Sequence, residues 1–500
     1  MEISLNALVE RVDEFLYERG ALEFRFHAGL SHELPLSKLH QNFPELSRVE
    51  SFLRVREMLL SPRTDGARKV GLRLLLHFLG DTLEDVRTAP AHEIIAQLLS
   101  SAPVNSGHGD TLPLGEAVAR LPDEPHRDRR DLLERESSQI FWERRSAWAR
   151  RVEAAMELAT ELKAPSYTAL REELTGVKLQ PLVEGAERAL ALTQDAWRDL
   201  LGYALKRLDP NIAERAQFHD AKRAAQAPWM LELFRKDDLF PAVTRWLAEL
   251  GLDPNAEGRL SFDAEDRPGK RTGAFVAELR VPDELRLVAL PRNGFEGYAE
   301  VLRAFGRGLH HANASRTTPL LERRLGDSAV PRAVAALFEN VMLDEQWLKR
   351  YLKVPQSQAR EAARLFAFRQ AMRLRRKLAL VPYALELYAR GPSDAMADEY
   401  QSRMQETLNV AVPKERFLYD VRPMLLMVSV VRAWALEAVL LGKLRERFNE
   451  DFWRNPATGR WLKELSQRGQ RDDAAEIARQ LGAELQLEAA GARLVKVMGA

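Results

Sequence analysis

From Phe141 to Leu162 (FWERRSAWARRVEAAMELATEL), and again from Val183 to Leu205, apolar residues recur at three- and four-residue steps between charges. That spacing puts one apolar stripe on a 3.6-residue helix, so both segments are predicted to be amphipathic helices packed on a core. Pro and Gly mark the joints between such segments, at Ser101–Gly109 (SAPVNSGHG), Leu121–Pro125 (LPDEP) and Gly391–Asp394. Thr64-Asp65-Gly66 reads as a short turn between helices. One region breaks the pattern. Arg259 to Leu290 (RLSFDAEDRPGKRTGAFVAELRVPDELRLVAL) alternates apolar and polar residues around an Arg-Pro-Gly-Lys turn, which predicts three short strands in a small sheet. No repeat of fixed period and no low-complexity tract is visible. The pattern gives a mainly α protein with a small sheet.

Composition narrows the class. Five hundred residues exceed one simple core, and such a length suggests roughly two to four domains or one multi-lobed body. Lys+Arg (74) nearly cancels Asp+Glu (73), so no global field favours nucleic acid or an anionic membrane as partner. Cysteine is absent, which removes disulfides, thiolate metal sites and cysteine nucleophiles together and fits a reducing, cytoplasmic setting. The stretch MEISLNALVERVDEFLYERG carries acids and no uninterrupted apolar block, so it does not read as a signal peptide. The greasiest run, Met424 to Val431, falls far short of the ~18–20 apolar residues of a membrane span. A soluble protein is expected.

Several short blocks then fall in a telling order. Asp266-Arg267-Pro268-Gly269-Lys270 precedes Gly273-Ala274-Phe275. Tyr298, Val301-Leu302, Phe305-Gly306 and Leu309-His310-His311 follow, then Arg324-Leu325-Gly326-Asp327 and Ala336-Leu337-Phe338-Glu339-Asn340. Trp434 within RAWALEA, Asn455-Pro456 and Gly459-Arg460-Trp461 close the series. Over roughly 200–480 these blocks resemble the thimet oligopeptidase / oligoendopeptidase F family of zinc peptidases; before residue 200 the likeness is only helical and of similar length. The resemblance implies a two-lobed, zincin-like helical clam with a small β-sheet beside a central cleft. It implies an N-terminal helical lobe over 1–200 and a peptidase-like lobe over 201–500, with the sheet at about 259–290 and a helical C-terminus. Gly273, Ala274, Phe275 and Val276 would form the strand that cradles a peptide by main-chain hydrogen bonds.

The family's chemistry needs two His four apart on one helix face, a Glu after the first as general base, and a Glu from the next helix as third zinc ligand. The matching positions here are Arg303, Ala304, Arg307 and Arg332. Guanidinium has no available lone pair and stays protonated, and alanine takes no proton from water. The tyrosines that would stabilise a tetrahedral intermediate are also missing from Pro423–Val431; if Ser429 keeps its register, Met427, Val428 and Val430 replace them. Zinc is therefore expected to be absent, and the chain is expected to be a pseudopeptidase and not an enzyme.

The remaining chemistry is thin. His32-Glu33 and His92-Glu93 start like a zinc motif, but the fourth residues on are Leu36 and Ala96. His310 and His311 point about 100° apart on a helix and cannot chelate one ion from one face; they pack locally, or one ligates with a distant carboxylate. No phosphate-cradling glycine loop is present. Arg364–Lys377 is a basic helix, either a solvated face or a surface for an anionic partner. Arg303, Arg307 and Arg332, with His310 and His311 nearby, either pair with acids such as Glu300 and Glu339, open into a channel, or form an anion site for an acidic or phosphorylated ligand. The expected function is binding of a peptide or protein, as a scaffold or regulatory subunit that works with an active homologous peptidase. The alternative is a repurposed cleft around the arginine trio, or an enzyme of another class.

Overall fold

The computed structural model describes residues 5–62, 64–107, 109–212, 215–271 and 273–499. Helices dominate, and several of their ends have a local cause. Asp65 caps the Gly66–Ser101 helix by accepting a hydrogen bond from the Arg68 amide at 2.7 Å. Both long periodic segments turn out to be broken. Phe141–Leu162 spans two helices, Arg127–Glu143 and Arg145–Glu161, that meet at Arg144. Val183–Leu205 is split between Leu179–Leu192 and Gln194–Leu208 at Thr193, whose hydroxyl donates to the Ala189 carbonyl at 2.9 Å. A one-residue break barely shifts the apolar phase, and so the sequence pattern runs straight through it. The Ser101–Gly109 joint opens a small hairpin that pairs Pro103–Asn105 with Thr111–Pro113 in antiparallel register.

The three strands expected near 259–290 are present, with Glu284–Val288 in the middle. Leu260–Asp263 pairs with it in parallel and Phe275–Arg280 pairs with it antiparallel, so Phe275–Arg280 lies at an edge. The Leu5–His27 helix packs against that edge strand.

One continuous core joins the two halves of the chain. Trp197 stacks on Phe368 with ring centroids 4.9 Å apart and donates its indole N–H to the Leu408 carbonyl at 3.2 Å. The Leu179–Leu192 helix packs on the Gln356–Arg390 and Leu487–Met498 helices. The expected boundary at 200 falls inside the Gln194–Leu208 helix, and the helix before it packs on the C-terminal half. One helical stretch, Pro423–Phe448, is long and apolar enough to cross a membrane by composition, contrary to the sequence reading. It is a core element, with 67% of its most apolar window buried. Arg432 and Glu437 within it are paired inside the protein, with Asp327 at 2.6 Å and with Arg493.

The basic stretch Arg364–Lys377 is largely buried as well. Arg375, 1% exposed, donates to the Thr407 and Leu190 carbonyls, and Arg369 and Arg373 reach buried acids. It is neither a solvated face nor an open docking surface, because its arginines point into helix–helix contacts where carbonyls and carboxylates satisfy them.

Candidate functional site

The site is organised by the Gly294–Ala312 helix. From Gly294 to Ala312 every residue is buried except Glu296, Glu300, Arg303 and Arg307. Spacings of four, three and four put these on one helix face, two acids followed by two bases. The opposite faces are held by Tyr298, Phe305 and Leu309. Behind the stripe the helix lies against Ala329–Glu339 at close range: a Cβ at Gly306 would stand 2.8 Å from the Val334 carbonyl oxygen. Only glycine permits that approach.

Each member of the stripe meets an opposite charge from another element. Arg303 donates from one Nη to both Glu339 oxygens at 3.2 Å. Arg307 donates to Glu278 Oε1 at 2.7 Å, and the same oxygen lies 3.0 Å from His311 Nε2. Glu300 accepts from Arg292 at 3.0 Å, and Glu296 is held by Arg369. Glu339, 1% exposed, is shared by Arg303, Arg369 and Arg373. Burial alone would raise the Glu339 and Glu278 carboxyls, yet the adjoining guanidiniums outweigh it and hold both below the usual carboxylate range, Glu278 well below.

Arg332 differs from the other two arginines. It is the one partly exposed residue of the Ala329–Glu339 helix and donates to the Ser328 carbonyl at 3.0 Å. Among the described residues no carboxylate lies within 4 Å of it. Burial first, and Arg307 second, lower its pKa to about 10. The trio thus splits three ways: Arg303 to Glu339, Arg307 to Glu278, Arg332 to a backbone oxygen. Ala304 is 5% exposed and packs in the core. His310, one turn past Arg307, is buried at 1% exposure, and burial together with its neighbour His311 lowers its pKa to about 3. The two rings are 5.4 Å apart and steeply inclined, so they do not present two nitrogens to one point.

The peptide-cradling segment is partly redrawn. Gly273 forms a bend, Ala274 is irregular, and the strand begins only at Phe275. Gly273 still borders the cleft, since a Cβ there would lie 3.1 Å from Glu300 Oε1. Farther along, Arg324 already donates to the Glu278 and Leu279 carbonyls at 2.9 and 3.0 Å. Those two carbonyls of the edge strand are therefore already taken from within the chain.

The donor set does not suit a zinc ion. The side chains at Arg303, Ala304, Arg307 and Arg332 offer no lone pair, and the nearby Glu339 and Glu278 are already engaged by guanidiniums. Among the described residues no group of three or more His, Asp or Glu side chains is arranged to hold a metal. Sequence reasoning missed Glu278, Arg369 and Arg373. Glu278 had a signal, as the one acid in the strand FVAELR beside a helix rich in arginine. Arg369 and Arg373 had none, because nothing local says which face of a 35-residue helix meets Glu339.

Comparison with known proteins agrees with this architecture. No family model and no curated protein matches the sequence. Solved structures do match. PZ peptidase A in complex with an inhibitor superposes with a TM-score of 0.68 at 12% identity, over 99% of this chain and 92% of that one. A Bacillus anthracis protein designated oligoendopeptidase F gives 0.68 at 11% identity, over 99% and 90%. A Chlamydophila abortus peptidase gives 0.59 at 12%, over 99% and 90%. Across its whole length, this chain has the helical fold of the oligoendopeptidase F-type peptidases.

Proposed function

We propose that this chain is a catalytically inactive relative of the oligoendopeptidase-type zinc peptidases. It serves as a peptide- or protein-binding subunit that scaffolds or regulates a partner, with an active homologous peptidase as the expected partner. The observation that carries this reading is the pairing of Arg303 with Glu339 and of Arg307 with Glu278. Where a zinc peptidase would gather neutral imidazoles and a free carboxylate around a cation, this chain places fixed cations and engages the acids with them. A guanidinium neither binds zinc nor takes a proton from water, so no hydrolytic step can be written through these residues. The fold shared with peptidases and the border that Gly273 forms with the cleft support retention of a peptide-sized groove. The absence of cysteine suits a cytoplasmic setting.

Elemental analysis of the purified protein with a quenched-peptide cleavage assay tests the reading. The expected result is zinc far below one ion per chain and no chelator-sensitive cleavage. Stoichiometric zinc with zinc-dependent cleavage would overturn it.

A further inference from the structure

A cavity of about 150 Å3 opens where the short Asn340–Leu343 helical turn meets the Gln356–Arg390, Leu426–Phe448 and Leu487–Met498 helices. Its lining shares no residue with the Glu296–Arg307 stripe. Much of its wall is apolar and buried: Leu337, Val341, Leu441 and Phe452 are each at most 5% exposed. An enclosed wall of this kind favours an apolar body of matching size, and this volume suits one about as large as benzene.

Six charged side chains complete the lining, and three of them are engaged elsewhere. Asp344 caps the Glu345–Leu352 helix, accepting from the Gln346 and Trp347 amides at 2.8 and 3.0 Å, and its other oxygen accepts from the Trp453 indole at 3.3 Å. Arg493 pairs with Glu437 and donates to the Asn340 carbonyl at 3.1 Å, while Arg445 has Glu450 at 2.9 Å. The other three are Glu345, Arg360 and Lys496. None has an opposite charge within 4 Å among the described residues. Glu345 is half-buried and the two bases are exposed, so the cavity is charged at its mouth. One acid and two bases therefore border a single small cavity without meeting each other. A ligand that carries both signs can bridge them, and the apolar wall below strengthens each attraction by excluding water.

We propose that this cavity binds a free α-amino acid with a medium-sized apolar side chain, of which leucine is the type. The side chain lies against Leu337, Val341, Leu441 and Phe452, the carboxylate meets Arg360 and Lys496, and the ammonium meets Glu345. A simple fatty acid or a phosphate would bring an anion to Glu345, and an amine would leave both bases unanswered. The proposal goes beyond the peptide-binding reading and does not depend on it, since the two sites share no residue.

Isothermal titration calorimetry on the full chain tests it with four probes: leucine, isocaproate (leucine without its amino group), isopentylamine (leucine without its carboxylate) and glycine. Leucine is expected to bind at least about tenfold tighter than each of the others. Glu345→Gln, at the mouth, should weaken leucine at least about fivefold and leave isocaproate no weaker. The Arg360→Gln/Lys496→Met double variant should weaken leucine similarly and leave isopentylamine no weaker. Because all three positions lie at the mouth, the variants keep the buried wall intact. Isocaproate or isopentylamine binding as tightly as leucine would overturn the two-charge assignment, and glycine doing so would overturn the role of the apolar wall. Leucine binding that is unchanged in both variants would overturn the placement at this cavity. No heat from leucine at about 10 mM would overturn the site as a whole. Each of these failures leaves the peptide-binding reading standing.

Discussion

Glu278 shows how one side chain can set the character of the site. It reaches from the edge strand to Arg307 and to within 3.0 Å of His311, and the Arg307 guanidinium, with the imidazole beside it, holds its carboxyl well below the ordinary 4.5 against the pull of burial. Because the folded pKa is depressed, the stabilisation is fully present above about pH 4.5. As pH falls below that value the unfolded chain takes up a proton that the folded chain resists, and stability drains away until the folded carboxyl is itself protonated. Glu278→Gln is therefore expected to cost about 1–3 kcal/mol at pH 7, where it strands Arg307 and His311. It should also flatten the loss of stability between pH 5 and 3. Urea unfolding of both proteins at pH 7, 5 and 3.5 checks this, and parallel acid limbs would count against the pairing. The sequence made the arginine chemistry legible at Arg303, Arg307 and Arg332. It could not tell that two would be neutralised and one left on a carbonyl, since the partners of Arg303 and Arg307 lie 36 and 29 residues away.

At the scale of elements, the close approach of the Gly294–Ala312 and Ala329–Glu339 helices brings Arg303 within reach of Glu339. Gly306 and Gly308 both sit on the first helix, but against different neighbours. A Cβ at Gly306 would meet backbone, the Val334 oxygen at 2.8 Å and the Ala335 Cα at 2.9 Å. One at Gly308 would meet the end of the Leu260 side chain at 2.9 Å, which can turn aside. Alanine improves helix propensity by roughly 1 kcal/mol at either position. Gly306→Ala is nonetheless expected to destabilise by about 1–3 kcal/mol, because the helices must separate. Gly308→Ala should be close to neutral. Chemical denaturation of the two variants decides it, and equal effects would mean that the helix contact is looser than described. Element prediction from the sequence was sound where the apolar period was sustained, as in the three strands near 259–290. It failed at Arg144 and Thr193, where a single residue ends one helix and begins another without disturbing the phase.

At the scale of the molecule, long core helices and a shared hydrophobic interior hold the fold together, and the charges at the site are satisfied from within. The Gln356–Arg390 helix supplies Arg369 and Arg373 to Glu339, and the Leu426–Phe448 helix runs through the core behind them. Stability should accordingly be indifferent to metal: excess EDTA is expected to shift Tm by less than about 1 °C, because a ligand that does not bind the native state moves no folding equilibrium. A fall of several degrees in differential scanning calorimetry would reveal a bound ion. The sequence by itself determined the helical class, the small sheet, the order of the peptidase-like blocks and the chemical poverty of four positions, since all of these follow from residue type and short-range spacing. Only the tertiary structure decided that residues 179–192 belong with the C-terminal helices, that Pro423–Phe448 is a core element, that Arg364–Lys377 is buried, and which acid meets which arginine. The reason is physical. Periodicity along a chain says which face of an element avoids water, whereas a Coulomb partner is chosen by distance in space, and that distance exists only once the elements have packed.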